Sequence, residues 1–353
     1  MADKDQLLEA LKEVKYPGFS RDIVSFGLIK EIQMDGGKAQ VRLEITTGDQ
    51  RIPAEIDSDI RRVLQGFEGV DEVSVDIKVN EPVQAAAQQS QGGQGNRIEG
   101  IKHIVAVASG KGGVGKSTVS ANLATAAARS GLKVGLLDCD LYGPSMGLMF
   151  GTEERPTVTE DERLQPHVRH GVRLMSMGFL VEGDSPVILR GPMVTRYTQQ
   201  FLNQVDWGEL DILFLDLPPG TGDIQLTIVQ TVALSGAVVV TTPQEVALID
   251  ARKASRMFEK VNVPILGLLE NMSYFLCPND GNRYPIFGEG GGEREAKKEG
   301  VPLLAQVPLE MDVRAGGDEG IPVVTSHPES EAAKAFNAAS EKLATNLKLH
   351  KNK

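Results

Sequence analysis

GKGGVGKST, residues 110–118, is the stretch that decides how the rest of this 353-residue sequence is interpreted. It fits the pattern G-x-x-x-x-G-K-[ST], with Gly110, Gly115, Lys116 and Ser117 in register. An apolar run typical of a buried strand precedes it, and a helical stretch follows it. In such a loop, backbone N–H groups surround phosphate oxygens at a helix N-terminus. The sequence therefore predicts a nucleotide site in which Lys116 reaches the β- and γ-phosphates and Ser117 binds Mg²⁺.

The whole loop is predicted to contact the nucleotide. The predicted contact residues are Gly110, Lys111, Gly112, Gly113, Val114, Gly115, Lys116, Ser117 and Thr118. The glycines matter because the chain must turn its N–H groups inward without obstruction from side chains.

Apolar runs alternate with helical stretches on both sides of the loop. In order, the runs are IKHIVAVAS (101–109), LKVGLLD (132–138), DILFLDL (211–217), GAVVVTT (236–242) and PILGLLE (264–270). Strands that are apolar along their whole length are typical of parallel sheets covered by helices on both faces. The pattern predicts an α/β fold, a doubly wound parallel sheet with the phosphate loop after its first strand.

A smaller domain is predicted ahead of this one. Residues 1–80 indicate a helix, two strands around an Asp-Gly-Gly turn, a second helix and a further strand, and so predict a small α+β domain. Residues 81–97 are rich in Gln, Ala and Gly, and we expect a flexible linker there. The P-loop ATPase domain is expected to span residues 98–350.

Composition narrows the class of function. The net charge of −11 argues against a general nucleic-acid binder. No run reaches the roughly 18 apolar residues of a membrane-spanning helix, and the charged start MADKDQLLEALKEV does not resemble a secretory signal. With only two cysteines, Cys139 and Cys277, a disulfide scaffold is implausible. We therefore expect a cytoplasmic protein that binds neither membrane nor nucleic acid.

Acidic residues end two of the apolar runs. Asp138 and Asp140 end one run, and Asp216 ends another. An aspartate at a strand end in a chain with a phosphate loop is typical of a ligand to Mg²⁺ or to its water, and Asp216 fits that position best. Asp223 follows a Gly-Thr-Gly turn, where capping of a helix is an equal alternative.

Lys111 gives the loop a second lysine directly after Gly110. The form K-G-G-x-G-K-S/T resembles the deviant phosphate loop of ATPases that include MinD, ParA and the nitrogenase iron protein. The resemblance implies an ATP-sandwiched homodimer in which Lys111 reaches the nucleotide of the partner subunit. Without the resemblance, the residue pattern favours an ordinary solvated lysine.

Further motifs narrow the resemblance to one branch. DLYGPS, ILRGPMV, LDLPPGTGD, TTPQEVAL and ENMSYFLCP follow the loop in that order. Together they closely resemble the Mrp/ApbC branch, the bacterial iron–sulfur cluster carriers, over roughly residues 98 to 345. SRDIVSFGLIKEI and VRLEITT resemble the small domain shared with SufT- and PaaD-type cluster-assembly proteins.

The branch resemblance implies both chemistry and partners. It implies ATP hydrolysis coupled to transfer of a labile, bridging iron–sulfur cluster from a homodimer to apoproteins, with scaffold proteins as further partners. By the same resemblance, Lys111, Lys116 and Asp140 act in catalysis, with Asp140 orienting the attacking water. Asn271 is expected to hydrogen-bond adenine, although a turn or cap asparagine is the alternative.

The sequence departs from the branch at its expected cluster site. The family bridges its cluster with Cys-x-x-Cys from each subunit, whereas this chain has Cys277 and Asp280. Clusters are normally held by four thiolates, and a carboxylate is a harder ligand than the soft cluster prefers. Cys277 is therefore either a cluster ligand, with Asp280 as a second one, or a small buried hydrophobic residue.

Two other functions remain as alternatives. One is a positioning ATPase like MinD or ParA, which would need a membrane or DNA handle. The C-terminal stretch EAAKAFNAASEKLATNLKLHKNK has too few bulky residues for a membrane-surface helix and is predicted to dock on the core. The other is a nucleotide-gated scaffold that no longer binds a cluster, against which the intact Lys116, Asp140 and Asp216 argue.

Overall fold

The structure is a computed structural model. It describes residues 4–14, 22–24, 28–35, 37–46, 51–67, 69–80, 97–180 and 191–349. The chain divides into two compact units, Met1–Gln91 and Gly92–Lys353. The predicted linker lies outside the described residues except for residue 97.

In its described residues, the first unit has a three-stranded sheet and two α-helices. Its elements are α1 (Lys4–Ala10), a 3₁₀ turn (Leu11–Glu13), β1 (Ile29–Asp35), β2 (Lys38–Thr46), α2 (Arg51–Gln65) and β3 (Glu72–Asn80). β1 and β2 form the predicted antiparallel hairpin, and β3 pairs parallel to β2. Val41, Leu43 and Ile45 are buried, as their alternation predicts, and pack with residues of α2 such as Ile56 and Ile60.

The second unit contains an eight-stranded sheet with helices. Its first half comprises β4 (Ile101–Ala108), α3 (Lys116–Arg129), β5 (Val134–Asp138), α4 (Met146–Met149), β6 (His167–Arg169), β7 (Val172–Ser176), a 3₁₀ turn (Met177–Leu180), α5 (Gly191–Gln204) and β8 (Leu210–Asp216). Its second half comprises α6 (Asp223–Thr231), β9 (Gly236–Thr241), α7 (Glu245–Lys260), β10 (Ile265–Glu270), β11 (Phe275–Leu276), β12 (Arg283–Tyr284), α8 (Gly291–Glu299), β13 (Leu303–Gln306), α9 (Met311–Glu319), α10 (Val323–Ser326) and α11 (Glu331–Asn346).

The large sheet has the doubly wound order that the sequence predicts. The order is β13-β10-β9-β4-β8-β5-β7-β6, and every pairing is parallel except that of the edge strand β6. Every residue of β5, β8 and β9 is buried, as expected for strands covered on both faces. β4 lies between β8 and β9, so the loop that follows it meets the carboxyl ends of both neighbours.

The last helix docks on the core, as predicted from its few bulky residues. Phe336 and Leu343 of α11 are buried, and the helix packs beside α3 and β13. Within the part of the chain that the structure describes, no helix has the length and apolarity needed to cross a membrane.

Candidate functional site

Two glycines of the phosphate loop stand where a larger residue would collide with a neighbour. A Cβ atom on Gly110 would lie 1.9 Å from the carbonyl oxygen of Asp250 in α7. Gly115 has a φ of +78°, in the left-handed region, and a Cβ there would lie 2.2 Å from the Nδ2 atom of Asn271. α3 begins directly afterwards at Lys116, so the helix N-terminus opens onto the loop.

Lys116, Ser117 and Ser120 surround the carboxylate of Asp216. The Nζ atom of Lys116 lies 2.7 Å from Oδ2 of Asp216, and both side chains are buried. The hydroxyl of Ser117 donates to the same oxygen over 2.7 Å, and that of Ser120 donates to Oδ1 over 2.5 Å. The carboxylate is therefore paired and hydrogen-bonded, as a buried charge must be.

Asp138 lies beside Asp216 but holds a different loop. The two residues are register partners on β5 and β8. The Asp138 carboxylate accepts N–H bonds from Asp140, Ser145 and Met146 and a hydroxyl bond from Ser176, over 3.0 to 3.2 Å. Burial, reinforced by the charge of Asp216, raises the pKa of Asp138 to about 7. Asp138 thus organises the segment that follows β5.

Asp140 begins that segment and folds back on it. Its Oδ1 atom accepts from the N–H groups of Tyr142 and Gly143, each over 3.3 Å. This is the local turn in which an aspartate hydrogen-bonds the backbone two residues on. Cys139 is buried, as expected for a packed residue, and burial raises the pKa of its thiol well above the ordinary value.

Lys111 differs from Lys116 in its surroundings within the described part of the chain. Its side chain is half-buried and forms no ion pair with any residue in the described ranges. Its own carbonyl oxygen accepts a bond of 2.9 Å from the hydroxyl of Ser109, which holds its backbone.

Asn271 ties the end of β10 to the phosphate loop. Its side chain is buried, and its Nδ2 atom donates to the carbonyl oxygen of Val114 over 2.9 Å. Asn271 also lines a cleft of about 240 Å³. The other lining residues are Thr118, Leu148, Met149, Met272, Pro308, Leu309, Glu310, Val313, Arg314, Gly317 and Asp318. The cleft therefore reaches from the helix after the phosphate loop to α9.

The Gly-Thr-Gly turn after β8 is held at both ends. The N–H of Gly220 donates to the carbonyl oxygen of Ser109 over 2.9 Å, and Gln225 donates to the carbonyl oxygen of Pro219 over 2.6 Å. α6 begins at Asp223, but Gly222 occupies the N-cap position. The capping alternative for Asp223 is therefore wrong, because this residue is already in the first turn.

Cys277 and Asp280 come together in one tight hairpin between β11 and β12. The N–H of Cys277 donates to the carbonyl oxygen of Asn282, and that of Gly281 donates to the carbonyl oxygen of Cys277. The Tyr284 hydroxyl, the Asn282 N–H and the Cys277 thiol lower the pKa of the Asp280 carboxyl to about 2. Asp280 is committed to this turn by bonds of 2.7 Å from Tyr284 and 2.9 Å from Asn282.

A cavity of about 410 Å³ lies beside Cys277. Apolar and acidic residues line it, namely Phe275, Leu276, Pro278, Gly281, Glu310, Met311, Asp312, Glu329, Ser330 and Glu331. Among the described residues, no group of three or more histidines, cysteines or acids is arranged to hold a metal ion.

The sequence interpretation missed several supporting residues. Ser120 lies three residues after Ser117 on α3, so helical spacing alone could have placed it beside Asp216. Glu270, at the end of β10, is buried and accepts bonds from Ser273 and Gln306 and from the backbone of Gly292. It thereby anchors the start of α8. The strand-end rule that found Asp216 applies equally to Glu270.

Two known protein families match separate parts of this chain. Residues 100–344 match the family described as NUBPL iron-transfer P-loop NTPase, and residues 4–76 match the family described as iron-sulfur cluster assembly protein. The chain is thus a P-loop NTPase of the MinD and ParA type with an added small domain. It belongs to the family of iron–sulfur cluster carrier proteins.

Individual relatives agree with this assignment. The iron-sulfur cluster carrier protein of Deinococcus radiodurans is 46% identical over 341 residues, which cover 96% of this chain and 94% of that protein. The nucleotide-binding protein of Archaeoglobus fulgidus, solved in complex with ADP, is 40% identical with a TM-score of 0.59, over 67% of this chain and 92% of that one. The cell division ATPase MinD of Pyrococcus furiosus is 25% identical, with a TM-score of 0.53 over 69% of this chain and 99% of that one. The carrier family is therefore favoured over the positioning ATPases.

Proposed function

We propose that the protein is an ATP-hydrolysing iron–sulfur cluster carrier that works as a homodimer and delivers clusters to apoproteins. The observation that carries the proposal is the position of Cys277 and of Asn271 on one short segment. Asn271 contacts the phosphate loop, and Cys277 follows six residues later in a hairpin beside its own cavity. One segment thus joins the nucleotide site to the thiol.

We propose that ATP binds at the phosphate loop and in the cleft of about 240 Å³ that Asn271 lines. Lys116 would bind the β- and γ-phosphates, and the loop N–H groups from Gly110 to Thr118 would surround them. The base would lie near Asn271, whose amide now contacts Val114. In this account Asn271 either holds the loop, as its present bond does, or turns its amide toward adenine.

Mg²⁺ would be held by Ser117 and by Asp216 or a water bound to it. These residues fit the ion because Mg²⁺ prefers oxygen ligands, and the Ser117 hydroxyl lies 2.7 Å from the Asp216 carboxylate. When bound, the ion would neutralise developing phosphate charge. Lys116 now pairs with Asp216, and we propose that it transfers to the phosphates when nucleotide enters.

Hydrolysis would require Lys111 and Asp140 in addition. Lys111 lacks an ion-pair partner among the described residues, which suits a lysine that reaches the phosphates of a partner subunit. Asp140 would orient the attacking water. Its carboxylate now accepts N–H bonds from Tyr142 and Gly143, so this loop would have to open before Asp140 acts.

The cluster is the cargo, and Cys277 is its proposed ligand. The Cys277 thiol is partly exposed, whereas Cys139 is fully buried, so only Cys277 is accessible to a cluster. Asp280 fits the ligand role poorly, because Tyr284 and Asn282 already hold its carboxylate. We propose that two copies of Cys277 anchor a bridging cluster and that Asp280 stabilises the hairpin instead. Free thiols of this kind call for a reducing compartment, which we propose is the cytoplasm.

Cluster transfer and ATP turnover test the proposal together. The protein, reconstituted anaerobically with iron and sulfide, is expected to activate an apo iron–sulfur acceptor, with a rate that changes when ATP is added. Cys277→Ala is expected to lose transfer but keep ATP turnover, and Lys116→Ala and Asp140→Ala are expected to lose turnover. Cluster transfer that persists in Cys277→Ala would refute the proposal. So would normal ATP turnover in both Lys116→Ala and Asp140→Ala.

A further inference from the structure

The nucleotide cleft and the cavity beside Cys277 share one acidic residue. Glu310 lines the 240 Å³ cleft together with Thr118 and Asn271, and it also lines the 410 Å³ cavity together with Cys277. It is the last residue of the connection 307–310 between β13 and α9, and this connection separates the two spaces. A displacement of Glu310 would therefore change both spaces at once.

The backbone beside Glu310 is joined to the segment that leads to Cys277. The N–H of Leu309 donates to the carbonyl oxygen of Tyr274 over 2.7 Å, and Leu309 forms a parallel bridge with Phe275. One step earlier, the N–H of Ser273 donates to the carbonyl oxygen of Val307 over 2.9 Å. Residues 307–310 and 273–275 are thus bonded side by side and are expected to move together.

The carboxyl group of Glu310 is only half satisfied. Glu310 is the N-cap residue of α9, yet its side chain makes no cap bond to that helix. Burial raises the pKa of the Glu310 carboxyl, and the Ala332 N–H and the Ser330 side chain at the start of α11 act in the opposite direction. Its Oε2 atom is buried and has no hydrogen-bond partner among the described residues.

A buried carboxylate oxygen without a partner raises the free energy of the arrangement that contains it. An arrangement in which this oxygen gains a donor or water would remove that penalty. An element that can adopt two arrangements can be biased from either of the spaces it borders. Glu310 borders both the cleft and the cavity.

We propose that Glu310 is a positioning residue that couples nucleotide occupancy to the exposure of Cys277. Nucleotide in the cleft shifts the connection at residues 307–310, and the bonds to Tyr274 and Phe275 pass that shift to the Cys277 hairpin. This inference rests on the proposed function for the presence of nucleotide in the cleft. It adds the residue through which that nucleotide acts on the thiol.

The test measures alkylation of Cys277 by iodoacetamide with and without saturating Mg·ADP. Cys139 is fully buried, so a single addition in the intact mass reports Cys277. In the parent protein we expect Mg·ADP to change the alkylation rate about fivefold, the low end of ordinary coupling between sites. In Glu310→Gln we expect the same rate with and without Mg·ADP, although ADP still binds.

Glu329→Gln is the matched control. Glu329 is exposed and lines the Cys277 cavity, but it does not line the nucleotide cleft. This variant makes the same change of charge and should keep the full effect of Mg·ADP. As a second readout, ADP affinity is measured before and after alkylation of Cys277: it should change in the parent protein and stay the same in Glu310→Gln, because Glu310 carries the coupling between the two sites. A purely structural role for Glu310 would not remove this effect of alkylation while leaving ADP binding intact. If Glu310→Gln does not fold, Glu310→Asp, which retracts the carboxyl, should show a reduced effect.

The outcomes separate this inference from the proposed function. An unchanged alkylation rate in parent protein that demonstrably binds ADP would overturn the inference alone. So would a full effect retained in Glu310→Gln. Failure of the parent protein to bind ADP would refute the proposed function, and the inference with it.

Discussion

Asp138 and Asp216 are register partners on neighbouring strands, and neither side chain is exposed to solvent. They share the carboxyl edge of the sheet but serve different loops. Asp216 is bonded to Lys116 and to hydroxyl groups of α3, whereas Asp138 is bonded to the segment from Asp140 to Met146. The pair therefore connects the phosphate loop to the loop that carries Asp140.

The raised pKa of Asp138 beside Asp216 predicts that the stability of the protein depends on pH. The pKa of Asp138 is raised to about 7 by burial and by Asp216, so the folded state retains a proton that the unfolded state has lost. The contribution of Asp138 to the free energy of unfolding is fully present below about pH 4 and declines as the pH rises toward 7. We expect the free energy of unfolding without nucleotide to fall between pH 5 and 7, by at most about 1.4 kcal/mol per pH unit.

Urea unfolding followed by the fluorescence of Trp207, the single tryptophan, measures this slope in the large unit. Asp138→Asn should be less stable, because it loses accepted bonds, but its stability should vary less across this range. A slope as steep in Asp138→Asn as in the parent protein would show that other groups cause the dependence.

The two loop lysines should differ in their effect on stability. Lys116→Ala leaves the buried charge of Asp216 without its cation, and we expect a loss of about 3 kcal/mol together with loss of hydrolysis. Lys111 has no ion pair among the described residues, so Lys111→Ala should change stability by at most about 0.5 kcal/mol. Its hydrolysis should nevertheless fall at least about 100-fold if it acts in trans.

Mixing the two variants tests the trans role directly. In a mixed dimer, the subunit that keeps Lys116 receives Lys111 from the other subunit, so one site is complete. An equimolar mixture should regain roughly a quarter of parental turnover, since about half of the dimers are mixed and each has one complete site. Phosphate release no higher than that of either variant alone would exclude such sharing.

The effects of substitutions at Gly115 and Asn271 on stability should not be additive, because the two residues lie very close together. Gly115→Ala meets the Asn271 amide at 2.2 Å and also adopts a φ of +78°, so it should weaken ADP binding and destabilise the protein. The conformational part is about 1–2 kcal/mol and belongs to Gly115 alone. Asn271→Ala removes the obstruction, so the double variant should be more stable than the sum of the single effects predicts. If the loss of stability in the double variant, measured by thermal unfolding, equals the sum of the two single losses, the collision is relieved elsewhere.

The nucleotide site was more predictable from sequence than the thiol site. The loop motif and the strand-end aspartates are local patterns, and parallel strands bring their ends to one edge. This logic correctly placed Lys116, Ser117 and Asp216 together. It left out β6, β7 and β13 of the large sheet, because each is short and lacks a long apolar run. It also did not mark Glu310, in the connection after β13.

The surroundings of Cys277 depend on contacts that are distant in sequence. The cavity beside it is completed by Glu310, Glu329 and Glu331, which no spacing rule connects with a cysteine in a hairpin. The contacts of Asp280 are equally distant from what its sequence position indicates. Its place in the Cys-x-x-Cys position suggested a ligand, but the Tyr284 hydroxyl bonded to its carboxylate could be found only in three dimensions.

Cys277 is proposed to anchor a cluster shared between two subunits. Native mass spectrometry after anaerobic reconstitution, with iron and sulfide analysis of the same sample, shows which species carries the cluster. We expect a cluster only in the dimer, none in Cys277→Ala, and a more persistent cluster in Asp280→Cys, which supplies a second thiolate. Equal iron and sulfide in Cys277→Ala and the parent protein, or a cluster on the monomer, would rule out this role for Cys277.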